Sequence, residues 1–515
     1  MSEFRKLQTC LIPVNYNLHL KLDIKNDKII GEVEIFCIKN QDKSTNLIVE
    51  LNSKNVKISS CKYQNEIDIY STLIEEPDHE RIRFTLPELQ TQDTKPTEQH
   101  SLKLTFSTNF KNDLSGFYRS FSDDHSVKAS SLFCPTEART CFPCFDEPAY
   151  KATFDASLTI EDHDECETVL SNSPLLSCTQ NDQSKTKTYL FDTTPKMSSY
   201  LLTFVIGNLD FYESTSSSGI IVRCYTPKGQ SSYGKFAVDV AVKSLDFYED
   251  YFDMPYPVTS TKLQNNFKKL DMVPLKECSV GAMENWGIIT YRESKILYDQ
   301  VKSSFSDKQT IASIVAHEIA HQWFGNLTTM DWWTEIWLNE GFATFCQYFC
   351  VDRILPEIKL MDEFMTTCLS MAFNLDKLPS SHPIEITINN PTEIAQVFDA
   401  ISYKKGASII RMMYNWIGDE NFKNGLGNYF KKFAYHVCSK GQFNFCISSS
   451  VLKYNQKNTL KNWETQLGKL KEIFPLYFAG NILQTKDCNR PYNALHYLFQ
   501  LFLLLIHICI AHIKT

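Results

Sequence analysis

The sequence predicts an α+β chain of more than one domain, with an antiparallel β region first and a mainly α region after it. Three observations carry this. Between residues 16 and 160 apolar and polar residues alternate, from Ser306 onward the apolar residues recur at helical spacing, and 515 residues exceed what one core holds.

The alternation is clearest where Tyr16, Leu18, Leu20, Leu22 and Ile24 interleave with Asn17, His19, Lys21 and Asp23, one side facing a core and the other water. Leu102, Leu104 and Phe106 repeat it, as do Phe154, Ala156, Leu158 and Ile160, and the polar stretch 75–79 separates runs. Such half-buried strands pair most simply as antiparallel sheet. The texture changes after Gly207. Ser306 with Gln309 three residues on reads as a capping box, Ile311, Ile314, Val315 and Ile319 continue at helical spacing, and Gly325 and Asn326 supply a stop. The spacing predicts a helix over 307–324. The expected division is a β domain over 1–207, a second domain over 208–450 and a tail over 451–515, with no internal repeat and no Pro/Gly-rich linker between the first two.

Composition narrows the function classes. Hydrophobic residues at 43% and charged residues at 22% are the balance of a folded, soluble protein. A formal net charge of -8, without a long Lys or Arg run, lacks the footprint of a nucleic-acid binder. The first residues show no apolar stretch of signal-peptide length behind a basic start, so the chain reads as cytoplasmic. Seventeen cysteines scattered without paired spacing suit reduced, mostly buried thiols better than a disulfide framework.

The chemistry concentrates on the predicted helix. His317, Glu318 and His321 form H-E-x-x-H, and at 3.6 residues per turn two histidines four apart project from one face toward one point. A divalent metal bridges such a pair. Glu340, in W-L-N-E-G, is placed to return on a second helix and complete a two-His, one-Glu set. Three protein ligands leave the fourth position of Zn2+ open, the arrangement of catalytic rather than structural zinc. Glu318, adjacent in sequence and not a ligand, is the candidate general base of a metal-assisted hydrolysis.

Five ordered motifs then carry a resemblance. C-F-P-C-F-D-E-P at 141–148, G-A-M-E-N-W-G at 281–287, H-E-I-A-H-Q-W-F-G-N at 317–326, W-L-N-E-G-F-A at 337–343 and F-D-A-I-S-Y-x-K-G-A at 398–407 resemble the gluzincin aminopeptidases. The resemblance covers roughly residues 8–440. It implies a thermolysin-like catalytic domain behind the β domain, one zinc per chain, and peptide substrates trimmed from a free amino end. It also implies that Gly281, Ala282, Met283, Glu284 and Asn285 line the substrate backbone, with Glu284 on its α-ammonium, and that the Tyr403 hydroxyl stabilises the oxyanion.

Two departures from that pattern stand out. The family carries Gln-x-Glu just before P-T-x-A-R, and its Glu shares the substrate ammonium; here those positions are Leu132 and Cys134. A thiol beside a carboxylate stays neutral, so one of two anionic anchors is missing, unless Glu137 serves in its place. The family also continues as a carboxy-terminal helical domain over the active site, whereas the resemblance here ends near residue 440, as in a truncated member. The run 494–513 has the length of a membrane span, but His496, Gln500, His507 and His512 interrupt it, which favours a docked helix or an unstructured end. Two functions stay open: an active zinc aminopeptidase, and a catalytically weak or inactive peptide-binding homologue that retains the metal.

Overall fold

The computed structural model describes residues 6–447 apart from 41–47, 65, 88–98, 122–125, 162–167, 258–267, 389–390 and 445. The segment 452–489 and the apolar run 494–513 lie outside the described residues.

The alternating runs become strands of an eight-stranded sheet, whose central members are Leu11–Asp23, Lys28–Lys39, Gln99–Thr108 and Thr153–Glu161. Tyr16, Leu18, Leu20 and Leu22 are buried while Asn17 and Lys21 face water, as the period-two pattern requires. The sheet is antiparallel except at one place. Leu11–Asp23 pairs with Thr153–Glu161 in parallel, Asn15 opposite Thr153, because the two strands meet after a long excursion of chain rather than through a hairpin. A three-stranded sheet and a four-stranded sheet, the latter ending on Phe204–Gly207, complete this region.

The next strand, Leu209–Thr215, opens a mixed five-stranded sheet whose edge strand is Ala282–Met283. α1 (Lys235–Phe252) packs against this sheet, α2 (Phe305–Ala320) meets its Ala282–Met283 strand, and α3 (Trp337–Ile354) packs on α1 and α2. The start of α2 corrects the expected capping box. Ser304 is the N-cap, its Oγ accepting from Asp307 N at 3.1 Å while Asp307 Oδ2 accepts from Ser304 N at 2.7 Å. An ionised carboxylate in the first turn answers both the free amides and the helix dipole, which the neutral amide of Gln309 does less well. The helix also ends earlier than the expected 324, with His321 as its C-cap.

The β region clamps the turn that follows. Lys151 Nζ donates to the carbonyls of Asn326 and Leu327 at 3.0 and 3.1 Å, and the Tyr200 hydroxyl to that of Gly325 at 3.2 Å. Gly325 holds φ at +112°, a conformation that residues with a Cβ rarely adopt. Most buried apolar residues from Leu7 to Ile447 form one continuous core across both regions, and a smaller cluster around Val205 and Ile288 stands apart from it.

Candidate active site

Helix α2 carries His317 in its last turn and His321 at its end, with their Nε2 atoms 3.1 Å apart. Glu340, in the first turn of α3, brings Oε2 to 3.4 Å from His317 Nε2 and 3.2 Å from His321 Nε2. A tetrahedral zinc with bonds of about 2.0–2.1 Å needs ligand atoms about 3.3 Å apart. The triangle fits that ion.

The remaining ring nitrogens are already engaged. His317 Nδ1 donates to Gln347 Oε1 at 2.8 Å, and Gln347 Nε2 donates to Ser313 Oγ at 2.7 Å. His321 Nδ1 donates to the Phe324 carbonyl at 2.9 Å. Both Nε2 lone pairs therefore face the triangle, the tautomer that metal binding needs.

Electrostatics points the same way. Glu318 Oε2 and Glu340 Oε2 are buried without a hydrogen-bond partner. Burial opposes a charge on His321, yet the Glu340 and Glu284 carboxylates raise its pKa to about 10. Burial likewise works against the Glu340 anion, and His321 and His317 overcome it, holding Glu340 down to about 2. A cluster that pulls a proton onto His321 is one that demands positive charge. Glu318 sits differently: burial pushes its carboxyl well up, His321 opposes this, and Glu284 and Glu340 add to it.

These groups open on a cleft of about 540 Å³. Gly281, Ala282, Met283 and Glu284 form part of its wall, and the acid oxygens of Glu284 and Glu318 lie within 4.8 Å of a His321 ring nitrogen. Asn285 lies behind that wall, fully buried, its Nδ2 donating to the Leu201 carbonyl at 3.2 Å. Tyr403 sits on a wide helical turn, Ile401–Lys405, its ring stacked on His317 with centroids 6.0 Å apart and planes 8° apart. Burial, then the Glu340 and Glu284 carboxylates, keeps its hydroxyl protonated by raising it well above its ordinary value.

The Peptidase M1 N-terminal domain matches residues 12–201, and the Peptidase family M1 domain matches residues 236–463. The chain belongs to the M1 peptidase family. M1 peptidases are zinc metallopeptidases, which agrees with the donor triangle. Aminopeptidase M1-B of Oryza sativa subsp. japonica is 41% identical over 477 residues, covering 92% of this chain and 51% of the relative. Puromycin-sensitive aminopeptidase of Caenorhabditis elegans is 35% identical over 470 residues, 90% of this chain and 48% of the relative. Aminopeptidase M1 of Arabidopsis thaliana is 44% identical over 337 residues, 65% of this chain and 37% of the relative. The chain spans about half the length of the curated relatives it matches.

Within this M1 chain, Leu132 and Cys134 both line the cleft that Glu284 lines. Burial raises the Cys134 thiol well above its ordinary value, and Glu284 adds to that, so a neutral group stands beside the glutamate. Glu137 is no substitute, because its carboxylate is 2.7 Å from Lys111 Nζ and outside the cleft wall.

The M1 site also uses residues that the sequence reading passed over. Gln322 Nε2 and Asn326 Nδ2 donate to the Glu284 carbonyl at 3.2 and 2.8 Å, so the end of α2 holds the 281–285 stretch. Both lie inside the quoted motif. Gln347 is seven residues beyond Glu340, two turns along the same face of α3, and that spacing is the signal that finds it. Gly341 and Gly406 meet backbone to backbone: a Cβ added to Gly341 would lie 3.0 Å from the Gly406 Cα. This contact lets the Tyr403 turn sit against α3 beside Glu340.

Proposed function

We propose that the chain is a zinc-dependent aminopeptidase that removes residues from the amino end of peptides. His317, His321 and Glu340 hold the metal, Glu318 is the general base, Glu284 anchors the substrate α-ammonium and Tyr403 donates to the oxyanion. When bound, zinc supplies Lewis-acid polarisation of the scissile carbonyl and lowers the pKa of water.

The observation that carries this reading is the closeness of an unliganded acid to the metal triangle. Glu284 and Glu318 oxygens lie within 4.8 Å of the His321 nitrogen. An ammonium and the carbonyl carbon of the same residue are separated by only two bonds, about 2.5 Å. An anion that close to the metal therefore registers the first peptide bond and leaves no room for residues upstream. Glu318 accepts the proton of the attacking water and delivers it to the leaving amine. The Tyr403 hydroxyl, kept protonated, faces the charge that develops on the carbonyl oxygen. Gly281, Ala282 and Met283 align the substrate backbone, and Asn285 holds that stretch from behind.

Cys134 is the one feature that favours the second reading, a weakened peptide-binding homologue, because one acid then faces the ammonium where two are expected. The complete set of ligands, base and oxyanion donor favours the enzyme. We also propose that the first domain ends near residue 207, where the four-stranded sheet closes and the five-stranded sheet begins. A cytoplasmic location is supported by the fourteen free cysteines among the described residues. Among the described residues no helix is long and apolar enough to cross a membrane.

The test is a matched pair of peptides, one with a free amino terminus and one acetylated, incubated with the zinc-loaded chain. Release of the first residue from the free peptide alone supports the aminopeptidase. Equal cleavage of both would make it an endopeptidase, and binding of the free peptide without cleavage would make it the peptide-binding homologue.

A further inference from the structure

The cleft holds one cation that the chemistry above does not use. Lys404, next to Tyr403 on the Ile401–Lys405 turn, is the only Lys or Arg among the lining residues. It is half-buried, and among the described residues no carboxylate forms an ion pair with it. Its neighbour Lys405 differs, being paired with Asp376 at 2.7 Å. Burial lowers the Lys404 ammonium, and the one carboxylate that opposes this is Glu340, already engaged by two imidazoles. The backbone at this point is pinned, since Ser408 Oγ donates to the Lys404 carbonyl at 2.7 Å. A half-buried cation with no counter-ion of its own is favoured by whatever brings the anion.

The cleft has a direction. Glu284 groups with His321 and Glu318 at one edge of the triangle. Lys404 lines the cleft next to Tyr403, whose ring stacks on His317 at the other edge. A peptide with its ammonium on Glu284 and its scissile carbonyl at the triangle therefore extends its leaving portion toward Lys404.

We infer that Lys404 is a specificity-determining residue that pairs with an acidic side chain on the second residue of the substrate, so that peptides with Asp or Glu in that position are preferred. The inference rests on the aminopeptidase reading for its direction. It differs from a role in oxyanion stabilisation, because a lysine serving the scissile carbonyl would raise turnover for every second residue alike.

The experiment compares Ala-Glu, Ala-Gln and Ala-Lys peptides of otherwise identical sequence with the zinc-loaded full chain. The expected kcat/KM for the Glu peptide exceeds that for Gln by about tenfold, the worth of one charge-assisted hydrogen bond. Lys404→Met brings that ratio to about one, and Lys404→Glu shifts preference to the Lys peptide. A parallel readout is calorimetric binding of the same peptides to Glu318→Gln protein, where the Glu peptide binds tighter than Gln and Lys404→Met removes the difference. Equal kcat/KM and equal affinity for Glu and Gln peptides would overturn the inference. If no free peptide is hydrolysed at stoichiometric zinc, the aminopeptidase reading fails on its own, and the binding comparison still decides Lys404.

Discussion

Gln347 Oε1 accepts the His317 Nδ1 proton at 2.8 Å, and the Gln347 amide is itself oriented by donation to Ser313 Oγ at 2.7 Å. This pair sets the tautomer and the angle of the proposed metal ligand His317 from a residue two turns beyond Glu340 on α3. Partners of this kind are worth about 10–100-fold in metal affinity. Gln347→Leu is therefore expected to weaken zinc binding by about that factor in competition with a chelator. An affinity equal to wild type would mean that the contact is incidental.

Glu318→Gln is expected to keep full zinc occupancy while kcat falls by about 10²–10⁴-fold. The amide preserves the shape of the side chain and removes its capacity to take a proton. Zinc content and turnover measured on the same preparation separate these effects, and unchanged hydrolysis removes Glu318 from the role of base.

Cys134→Glu restores an acid beside Glu284. A charged hydrogen bond is worth about 1.5–3 kcal/mol, so kcat/KM for free amino termini can rise by roughly one to two orders of magnitude. Repulsion from Glu284 reduces that gain, and Leu132 offers no polar support. Acetylated peptides should show no improvement. Equal or lower activity toward free termini in a folded variant would mean that the pocket is built around the thiol.

The sequence made part of this site visible and hid the rest for definable reasons. His317 and His321 are legible because a helix converts spacing directly into direction, and the half-buried strands are legible because a pleated chain does the same with period two. Glu340 needed a second helix to return to the first, which spacing alone does not dictate. Tyr403 is one of 24 tyrosines, and only the resemblance singled it out. Gln347, Gly406 and Lys404 act through tertiary approach, so nothing local to them announces a function. The capping box lies two residues before the one that Ser306 and Gln309 suggest, because that pair also satisfies its pattern. The parallel pairing of Leu11–Asp23 with Thr153–Glu161 has no local signal, since a strand's own pattern does not encode its neighbour's direction.

A pH response follows from His382. Its Nε2 is 2.9 Å from Asp399 Oδ2 and its Nδ1 2.7 Å from the Pro383 carbonyl, two acceptors that together call for the imidazolium. The Asp399 hydrogen bond raises its pKa above the ordinary value, against burial and the Lys405 charge. Asp399 in turn accepts from Ile401 N and Ser402 N, at the start of the turn that carries Tyr403. A histidine whose folded pKa is raised contributes stability that is fully present below its unfolded pKa, near 6.5, and lost as pH rises through the folded value. Because His382 is partly exposed, the contribution is small, and wild type should exceed His382→Gln in Tm by about 1–2 °C under acidic conditions. The gap should close on the alkaline side. Thermal unfolding across pH checks it, and a gap that widens as pH rises would contradict the assignment.

The most direct test of the account is zinc stoichiometry by elemental analysis on the full chain and on His321→Ala. One zinc per wild-type chain and a large loss in the variant are expected, since removing one of three ligands dismantles the site. Stoichiometric zinc persisting in folded His321→Ala would contradict it.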